Sequence, residues 1–441
     1  KGSIDSKTIK KNDIFFAIKG KKNDGNFFVK DALRKKASLA IVNRINRKLN
    51  LSKQIKVKNT LNFITDCSSA YRESLSTKIL AITGSCGKTS LKELLNRIFK
   101  KYYKVGYSPK SYNNKFGVPL SLFNINQNDD VGILEVGMDK KGEIDTLSKI
   151  IKPDIGVITN ISYAHAKNFK NIKQIAFAKA EIINNIKKNG TLILNSDDQF
   201  FGLFKRISQK KNIKVISFGI KNKNSDIKLH KIIKFKNKYK LVIINNKKKY
   251  YFFISNNYEN NIKNLLATLA IINLLMDLKT LGQNTFYNFE TPEGRGDISK
   301  LKINKKKNFF LVDESYNSNP LSLNTAIRNF DKLNIKNSSK HVLLGDMLEL
   351  GKHSKKLHRS ISKVLDKTSI KSVNVFGKHI LHTFNNIKIS KKGQVLKDIT
   401  QIINLIKYNL NNNDYLMIKG SNSTGLHKLV SELKNKKINA L

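Results

Sequence analysis

The chain has 441 residues, enough for about three domains of ordinary size, and its 83 basic and 32 acidic residues give a formal net charge of +51. The lysines are spread over nearly every segment, without an aromatic-interleaved basic stripe or a nucleic-acid-binding motif. We therefore attribute the charge to compositional drift rather than to nucleic-acid binding. The positive field would still attract anionic substrates such as nucleotides.

The first 76 residues predict a small α/β unit. Apolar runs predict a strand over Asp13–Ile18, a helix over Phe27–Lys36 and a second strand over Leu39–Val42. Gly20 ends the first strand in this interpretation, because glycine interrupts regular structure.

A phosphate-binding loop is predicted where a strand over Ile79–Thr83 turns into a helix over Lys88–Phe99. Glycines in the turn let backbone N–H groups approach phosphates, and the helix N-terminus adds partial positive charge. Lys88 would supply a mobile cation, and the Thr89 hydroxyl a Mg²⁺ ligand. We favour this interpretation over an ordinary glycine-rich turn because GKT stands in the strand-to-helix context that the motif requires. The expected nucleotide-binding residues are Gly84, Ser85, Cys86, Gly87, Lys88, Thr89 and Ser90.

Residues 77–291 alternate apolar runs with helical patterns, which predicts a mostly parallel sheet. Antiparallel strands are expected in the lysine-rich stretch 227–254. The other predicted strands are Val131–Val136, Ile155–Thr159, Thr191–Leu194 and Val215–Phe218, and the other predicted helices are Ile172–Ile186 and Asn261–Leu275.

Three polar residues on these elements are candidates for chemistry. Glu135 ends a buried strand, where a carboxylate is costly unless it is paired or metal-bound, and a P-loop nucleotide needs an acidic Mg²⁺ ligand nearby. His165 follows the strand over Ile155–Thr159, and loops beyond strand ends hold ligands in α/β sheets, although a lone histidine is more often structural. Lys179 stands in a helical pattern, and its spacing alone indicates a solvated face.

Residues 292–441 predict a third α/β unit, after a boundary marked by the sequence PEGRG at 292–296. Small polar residues over 313–320 follow a predicted strand, and their density of donors and acceptors favours a ligand loop over a generic turn. Asn319 or Ser322 would cap the next helix. The predicted elements are strands over Phe309–Val312, Val342–Leu344, Ser372–Val375 and Tyr415–Ile418 and a helix over Ser322–Phe330.

Neither membrane insertion nor a disulfide framework is expected. The most apolar stretch, Leu265–Leu275, is too short to span a bilayer. The two cysteines, Cys67 and Cys86, form no metal-ligand cluster in the sequence. We therefore expect a soluble cytoplasmic protein, and a monomer.

Ten motifs occur in the order typical of the Mur ligases, and the chain resembles this family almost end to end. The compact loop GSCGKTS is shared by Mur ligases and their folylpolyglutamate synthetase relatives. DESYNSNP at 313–320 and GDMLELG at 345–351 resemble the Mur ligases that add D-alanyl-D-alanine. The remaining motifs are DSKTIKKNDIFFAIKGKKNDG (5–25), YNNKFGVPLSLF (112–123), LEVGMDKKGEI (134–144), TNISYAHAKNF (159–169), AKAEI (178–182), GRGD (294–297) and IKGSNS (418–423).

The resemblance implies a three-domain α/β architecture. A small N-terminal domain (1–76) would bind the UDP substrate, a central P-loop parallel-sheet domain (77–291) would bind ATP, and a Rossmann-like C-terminal domain (292–441) would complete the site. The implied reaction is ATP-driven ligation of D-alanyl-D-alanine to UDP-N-acetylmuramoyl-tripeptide through an acyl phosphate, in cytoplasmic peptidoglycan precursor synthesis. The implied cofactors are ATP, two Mg²⁺ ions and a carbamate on Lys179.

The resemblance also assigns roles to individual residues. Lys88 would contact the transferred phosphate, and catalysis would further involve His165 and Lys179. The metal ligands would be Thr89, Glu135, His165 and carbamylated Lys179. The nucleotide contacts outside the P-loop would be Asn261, Arg295 and, at the ribose, Asp313. The uridine contacts would be Asp5, Ser6 and Lys7, and the other substrate contacts Asn113, Asn114, Tyr316, Asn317 and Asn319.

Three positions depart from the family's usual pattern. Lys7 stands where arginine is usual, and it keeps the charge without the planar fork. Asn26 and Asn260 stand where histidine is usual, and Asn260 can still hydrogen-bond an adenine. These changes bear on affinity more than on activity.

Two alternatives remain open at this point. Another Mur ligase or a folylpolyglutamate synthetase would share the P-loop and the general plan, and substrate assays distinguish them. A basic P-loop NTPase acting on nucleic acid would need an hhhhD strand and aromatic or arginine-rich contact loops, which we do not find in the sequence.

Overall fold

The computed structural model describes residues 1–20, 23–236, 238–256, 258–287, 289, 291–304, 307–335 and 337–435, and three β-sheets organise them. The first sheet is parallel, with its four strands in chain order. Its strands are β1 Gly2–Ser3, β2 Ile14–Phe16, β3 Leu39–Val42 and β4 Gln54–Lys56, and the helices of this unit are α1 Val29–Arg34 and α2 Thr60–Ser74. The predicted helix over Phe27–Lys36 is shorter because its first turn is 3₁₀.

The second sheet has nine strands, and β5 to β11 run parallel in it. The last three form an antiparallel meander, as the lysine-rich stretch predicted. The strands are β5 Lys78–Thr83, β6 Val105–Tyr107, β7 Val131–Glu135, β8 Ile155–Ile158, β9 Thr191–Asn195, β10 Lys214–Gly219, β11 Ile227–Phe235, β12 Lys238–Asn245 and β13 Lys248–Ile254. The helices are α3 Lys88–Phe99, α4 Gly117–Phe123, α5 Glu143–Ile151, α6 Ile172–Ala180, α7 Phe201–Lys210 and α8 Glu259–Ile272.

The strand order brings the carboxyl ends of three strands together at one end of this sheet. The order is β13-β12-β11-β10-β9-β8-β5-β7-β6, so β5 lies between β8 and β7 although it precedes both in the chain. All three are parallel and fully buried apart from the first residue of β5. The residues that follow them therefore meet at the crevice where α/β sheets bind ligands.

The third sheet has six strands in the order β14-β15-β19-β16-β17-β18, with the antiparallel strand β14 at one edge. The strands are β14 Asp297–Lys302, β15 Asn308–Asp313, β16 Lys340–Gly345, β17 Ser372–Phe376, β18 Lys392–Leu396 and β19 Asp414–Lys419. The helices are α9 Pro320–Asp331, α10 Ser354–Leu365, α11 Leu381–Phe384, α12 Ile399–Asn404 and α13 Leu426–Lys434. Asn319 caps α9 in a capping box with Ser322, as the sequence predicted.

The second and third units pack against each other. The largest buried apolar cluster contains Leu134 and Ile175 of the second unit and Val312 and Leu323 of the third. The first unit packs through Phe16, Ile41 and Ile64 against Leu120 on α4. None of the helices that the structure describes is long and apolar enough to cross a membrane.

Candidate active site

A cavity of about 1460 Å³ opens between the carboxyl edge of the second sheet and the third unit. Both units line it, and the first-sheet residues predicted to bind uridine are not among its lining. The predicted site residues that line it are Ser85, Cys86, Gly87, Lys88, Thr89, Ser90, Asn113, Asn114, Glu135, His165, Lys179, Asn261, Arg295, Tyr316, Asn317 and Asn319. The cavity therefore brings most of the predicted site together.

The P-loop has the backbone that a phosphate cradle needs. Gly84 has φ +140°, and a Cβ there would lie 1.9 Å from Oγ1 of Thr159, so no larger residue fits. Gly87, with φ +83°, begins α3 without a side-chain cap, which leaves the helix N-terminus open towards the cavity. The ammonium of Lys88 donates a 2.8 Å hydrogen bond to the Gly84 carbonyl and so lies over the loop.

Thr89 and Glu135 lie side by side at the floor of the cavity. The Thr89 hydroxyl donates a 2.8 Å hydrogen bond to Oε2 of Glu135, whose Oε1 accepts a second one of 2.8 Å from the amide of Asn113. Glu135 is only 2% exposed, and neither of these donors is charged. Arg295 of the third unit donates a 3.1 Å hydrogen bond to the Thr89 hydroxyl, so a group that binds this oxygen must displace or join the arginine.

His165 faces two carboxylates across the junction of the units. Its Nδ1 lies 2.9 Å from Oδ1 of Asp139, which follows β7, and 2.6 Å from Oε2 of Glu349, which follows β16. The imidazole holds the pKa of the Glu349 carboxyl below its ordinary value, although partial burial opposes this. The three residues form a cluster whose ligand atoms lie within 4.8 Å of one another.

Lys179 is almost completely buried at the end of α6, with 1% of its side chain exposed. The spacing-based prediction of a solvated face is therefore wrong, because α6 is covered on the side that carries this residue. Within the described part of the chain, its ammonium makes no hydrogen bond. Burial, and next the nearby charge of Lys88, push the pKa of Lys179 well below its ordinary value.

The predicted ligand residues fit one Mg²⁺ ion as they stand. They fit a second ion only if Lys179 carries a carbamate. Mg²⁺ prefers oxygen ligands, and Thr89 and Glu135 offer a hydroxyl and a buried carboxylate within 2.8 Å of each other. His165 can add one nitrogen. An unmodified ammonium at Lys179 would repel a metal ion, whereas a carbamate there would be a carboxylate-like ligand.

The loop at 313–320 crosses to the P-loop and ties the two units together. The Tyr316 hydroxyl donates a 2.7 Å hydrogen bond to Oγ of Ser111, and the guanidinium of Arg295 lies 4.4 Å from the centre of the Tyr316 ring. The amide of Asn319, which caps α9, lies 3.1 Å from Sγ of Cys86. The polar residues of this loop therefore face the cavity that the P-loop lines, and their role as a ligand loop stays a prediction.

Asp313 is a predicted site residue that does not line the cavity. Its carboxylate is fully buried and accepts hydrogen bonds of 2.6 Å from both Lys434 and Ser315. Both of its oxygens are held inside the third unit, and its contact with ribose stays a prediction. The next residue, Glu314, lines the cavity instead.

The remaining predicted residues are placed as follows. Asn114 accepts a 3.0 Å hydrogen bond from the backbone of Gly117 at the start of α4, and Asn261 donates a 3.0 Å hydrogen bond to Asn256. In the first unit, Asp5 accepts a 2.9 Å hydrogen bond from the backbone of Lys7, and Ser6 is buried between them.

Two of the three departures from the family pattern are described. Lys7 is exposed, and the Asn26 amide donates 2.6 Å hydrogen bonds to both Asp24 and Asn43. The side chain of Asn260 lies outside the described residues.

Among the cavity-lining residues that sequence reasoning missed are Asp139, Glu349 and Lys419. Asp139 and Glu349 approach His165 only because loops distant in the chain pack together, which the sequence does not show. Lys419 is 2% exposed at the end of β19, and its ammonium donates hydrogen bonds to the Asn317 carbonyl at 2.9 Å and to the Glu314 carboxylate at 3.2 Å. A lysine directly after the apolar run Tyr415–Ile418 was the available signal for Lys419.

Comparisons with known proteins agree with this arrangement. The family models for the Mur ligase middle domain and for the Mur ligase, glutamate ligase domain match residues 82–272 and 301–422. The UDP-N-acetylmuramoyl-tripeptide–D-alanyl-D-alanine ligase of Buchnera aphidicola subsp. Acyrthosiphon pisum is 32% identical, covering 98% of this chain and 92% of that protein. The protein of the same name from Rickettsia prowazekii is 31% identical, covering 97% and 93%.

Solved structures show the same fold. MurF from Acinetobacter baumannii superposes with a TM-score of 0.83 at 24% identity, covering 98% of this chain and 93% of that one. MurF ligase from Thermotoga maritima, in complex with ADP, superposes with a TM-score of 0.81 at 23% identity, covering 99% and 97%. The two family models and the curated relatives, together with the fold, thus define a Mur ligase. The chain belongs to the family of the UDP-N-acetylmuramoyl-tripeptide–D-alanyl-D-alanine ligases.

Proposed function

We propose that this chain is the ATP-dependent ligase that joins D-alanyl-D-alanine to UDP-N-acetylmuramoyl-tripeptide in peptidoglycan precursor synthesis. The observation that carries the proposal is the cavity in which the P-loop faces the loop at 313–320, because that loop resembles the D-alanyl-D-alanine-adding ligases. Relatives of that name are 31–32% identical over 97–98% of the chain. The three sheets support assigning UDP binding to 1–76, ATP binding to 77–291 and completion of the site to 292–441.

The first chemical step brings two anions together. The terminal carboxylate of the tripeptide attacks the γ-phosphorus of ATP, a P–O bond forms, and the bond to the leaving ADP oxygen breaks. The products are an acyl phosphate and ADP. Lys88 supplies countercharge, and the P-loop N–H groups hold the phosphates in line, so positioning and electrostatics provide most of the acceleration.

In the second step, the neutral amine of D-alanyl-D-alanine attacks the acyl carbonyl. The C–N bond forms, the C–O bond to phosphate breaks, and the amine proton passes to the departing phosphate or to solvent. An acyl phosphate is readily lost to water, so the intermediate must be sheltered until the amine arrives. The third unit, which meets Ser111 through Tyr316 and the P-loop residue Cys86 through Asn319, would exclude water from it.

Two metal positions support the first step. Thr89 and Glu135 would hold one Mg²⁺ ion, and His165 and a carbamate on Lys179 a second. Bound Mg²⁺ supplies positive charge to the phosphate oxygens and fixes their orientation. The low pKa of Lys179 supports the carbamate, because the neutral amine is the form that reacts with CO₂.

The remaining residues serve recognition. Asn261 and Arg295 line the cavity at positions that suit nucleotide contacts. Asn113, Asn114, Tyr316, Asn317 and Asn319 also line the cavity, and we assign them to the tripeptide end and the dipeptide. Asp5, Ser6 and Lys7 remain our assignment for uridine.

The test is phosphate release from ATP with UDP-N-acetylmuramoyl-tripeptide, with and without D-alanyl-D-alanine. We expect release that depends on both substrates, and a product whose mass equals the tripeptide plus the dipeptide minus water. Tripeptides with either common diamino acid, meso-diaminopimelate or L-lysine, should be compared. Release that depends instead on glutamate with a folate, or on an earlier muramoyl intermediate, would assign the chain to a sister ligase. Release stimulated by nucleic acid alone would refute the proposal.

A further inference from the structure

Two short stretches of the third unit lie side by side at the cavity. One is 314–318, which directly follows β15, and the other is 419–422, which begins at the last residue of β19. The two strands are parallel neighbours in the third sheet, so both stretches leave it at the same end. The backbone N–H of Glu314 extends the pairing with a 3.0 Å hydrogen bond to the Ile418 carbonyl.

Beyond the strands, side chains of 419–422 donate hydrogen bonds to four backbone carbonyls of 314–318. The pairs, with the donor first, are Lys419 to Glu314 (3.3 Å) and to Asn317 (2.9 Å), Ser421 to Ser318 (3.3 Å) and Asn422 to Tyr316 (3.4 Å). A loop has no helix or strand ladder to orient its carbonyls, so bonds from side chains take over that role. The 419–422 stretch thus determines the backbone path of 314–318.

Lys419 provides the strongest of these contacts. It is only 2% exposed, and besides its two carbonyl partners its ammonium donates a 3.2 Å hydrogen bond to the Glu314 carboxylate. An ammonium has three protons, so every one of them has an acceptor in 314–318. A buried ammonium is costly unless it is paired and hydrogen-bonded, and Lys419 meets both conditions only when this stretch keeps its conformation.

Tyr316, in the middle of the 314–318 stretch, carries this order to the second unit. Its hydroxyl donates a 2.7 Å hydrogen bond to Ser111, and its ring centre lies 4.4 Å from the guanidinium of Arg295. Arg295 in turn donates a 3.1 Å hydrogen bond to the Thr89 hydroxyl at the P-loop. A backbone shift of about 1 Å at Tyr316 would break the bond to Ser111 and move the ring away from Arg295.

We propose that Lys419 is a positioning residue that fixes the backbone of 314–318 and, through Tyr316, the place of Arg295 at the P-loop. Lys419 lines the cavity, but its ammonium is bound to this stretch of chain, so it acts through Tyr316 and Arg295. The inference rests on the proposed function only for the reaction by which its kinetic effect is measured.

Four variants separate this role from a general structural one. Lys419→Met keeps an unbranched side chain and removes the ammonium. Because it leaves Glu314 without its cation, the double variant Lys419→Met/Glu314→Gln tests the same loss without an unpaired charge. Lys419→Gln can still donate to a carbonyl and is the conservative variant. Lys391→Met is the matched control, because Lys391 also donates to two carbonyls of the third unit, those of Thr368 and Ile370, but lies outside the cavity lining.

The first measurement is amide hydrogen exchange of the free full-length protein, followed by mass spectrometry of the peptide that contains 314–319. We expect exchange there to be about 10-fold faster in Lys419→Met and in the double variant, and less accelerated in Lys419→Gln. Lys391→Met should exchange like wild type in this peptide. Unchanged exchange of the peptide in both variants that carry Lys419→Met would overturn the inference, and so would an equal rise throughout the third unit.

The second measurement is a double-mutant cycle between Lys419→Met and Tyr316→Leu, with phosphate release in the presence of both substrates as the readout. We expect each single variant to lower kcat/KM by about 10-fold or more, because Arg295 loses its place. Since Lys419 acts through Tyr316, the double variant should fall within about twofold of Tyr316→Leu alone. Effects that multiply would overturn the inference. A wild type that fails to ligate would refute the proposed function, and the exchange result alone would then decide the inference.

Discussion

The hydroxyl of Thr89 donates a 2.8 Å hydrogen bond to the carboxylate of Glu135, although the two residues are 46 positions apart in the chain. Neighbouring parallel strands explain the contact, because β5 leads into the P-loop and β7 ends at Glu135, so both deliver their last residues to one edge. The two side chains are thereby close enough to share one metal ion.

Replacing Glu135 by glutamine should reduce phosphate release by about two orders of magnitude or more, while the protein stays folded. The amide oxygen can still accept the Thr89 hydrogen bond, so the change removes charge from the metal position rather than packing. Initial rates at several Mg²⁺ concentrations measure the effect. Glu93→Gln, on the P-loop helix α3 but outside the cavity lining, is the control and should keep wild-type rates. Wild-type turnover in Glu135→Gln would exclude this metal position.

Alkylation of Cys86 should inactivate the enzyme, and bound Mg·ATP should slow the inactivation. Sγ of Cys86 lies in the P-loop, 3.1 Å from the Asn319 amide, so an added group would occupy the space between loop and third unit. Burial raises the pKa of the other thiol, Cys67, and a Cys67→Ser background isolates the effect. Activity is followed against time with N-ethylmaleimide, with and without Mg·ATP. If the single remaining thiol is labelled and activity persists, Cys86 does not face the nucleotide.

Local sequence predicted the parts of the site that depend on local structure. The strand, turn and helix around Gly84 and Lys88 are encoded within the single stretch 78–99. Glu135 ends one strand and His165 follows another, and a parallel sheet brings the ends of these strands together. The prediction of a solvated face for Lys179 was wrong. Helical periodicity indicates which residues share a face of the helix, but not whether another part of the chain covers that face.

Long-range packing determines the surroundings of the residues that the sequence could not place. Asp313 ends a strand as a ligand residue would, yet Lys434 from α13 reaches its carboxylate and holds it inside the third unit. The contact of Glu349 with His165 depends on how two units dock, and no pattern within either loop encodes that. The prediction of helix over Ile172–Ile186 failed at its end for a related reason, since the chain turns to 3₁₀ geometry from Glu181.

Lowering the pH from 7.5 to 5.5 should destabilise the third unit partly through His358. This ring is fully buried, Nε2 accepts a 3.0 Å hydrogen bond from the Met347 backbone, and Nδ1 lies 2.9 Å from the Ser354 carbonyl. Burial therefore lowers the pKa of His358 below its ordinary value of 6.5. Because the unfolded chain binds the proton first as pH falls, stability is complete above about pH 6.5 and declines below it.

The measurement is the urea midpoint by circular dichroism at both pH values. His358→Gln should be less stable at pH 7.5 but should lose less between pH 7.5 and 5.5 than wild type. His230→Gln, at an exposed position on β11, should keep the wild-type pH dependence. An identical decline in wild type and His358→Gln would assign the pH dependence to other groups.

The last prediction concerns Lys179, which we expect to act as a carbamate. Its amine is buried, makes no hydrogen bond within the described residues and has a pKa well below the ordinary value because of burial and then Lys88. A buried ammonium beside Mg²⁺ would be repelled, whereas CO₂ addition to the neutral amine creates an anion that binds the ion.

Lys179→Ala should therefore be nearly inactive while remaining folded, and formate or acetate should partly restore its phosphate release by entering the vacated position. Lys179→Glu should recover little, because its carboxylate is too short to reach that position. Lys173→Ala, at an exposed position on the same helix, should change stability by less than about 0.5 kcal/mol and leave the rate unchanged. Wild-type protein in ¹³C-bicarbonate should show a carbamate carbon signal that Lys179→Ala lacks. Full activity of Lys179→Ala without added acid, or the same carbamate signal in both proteins, would rule the modification out as part of the mechanism.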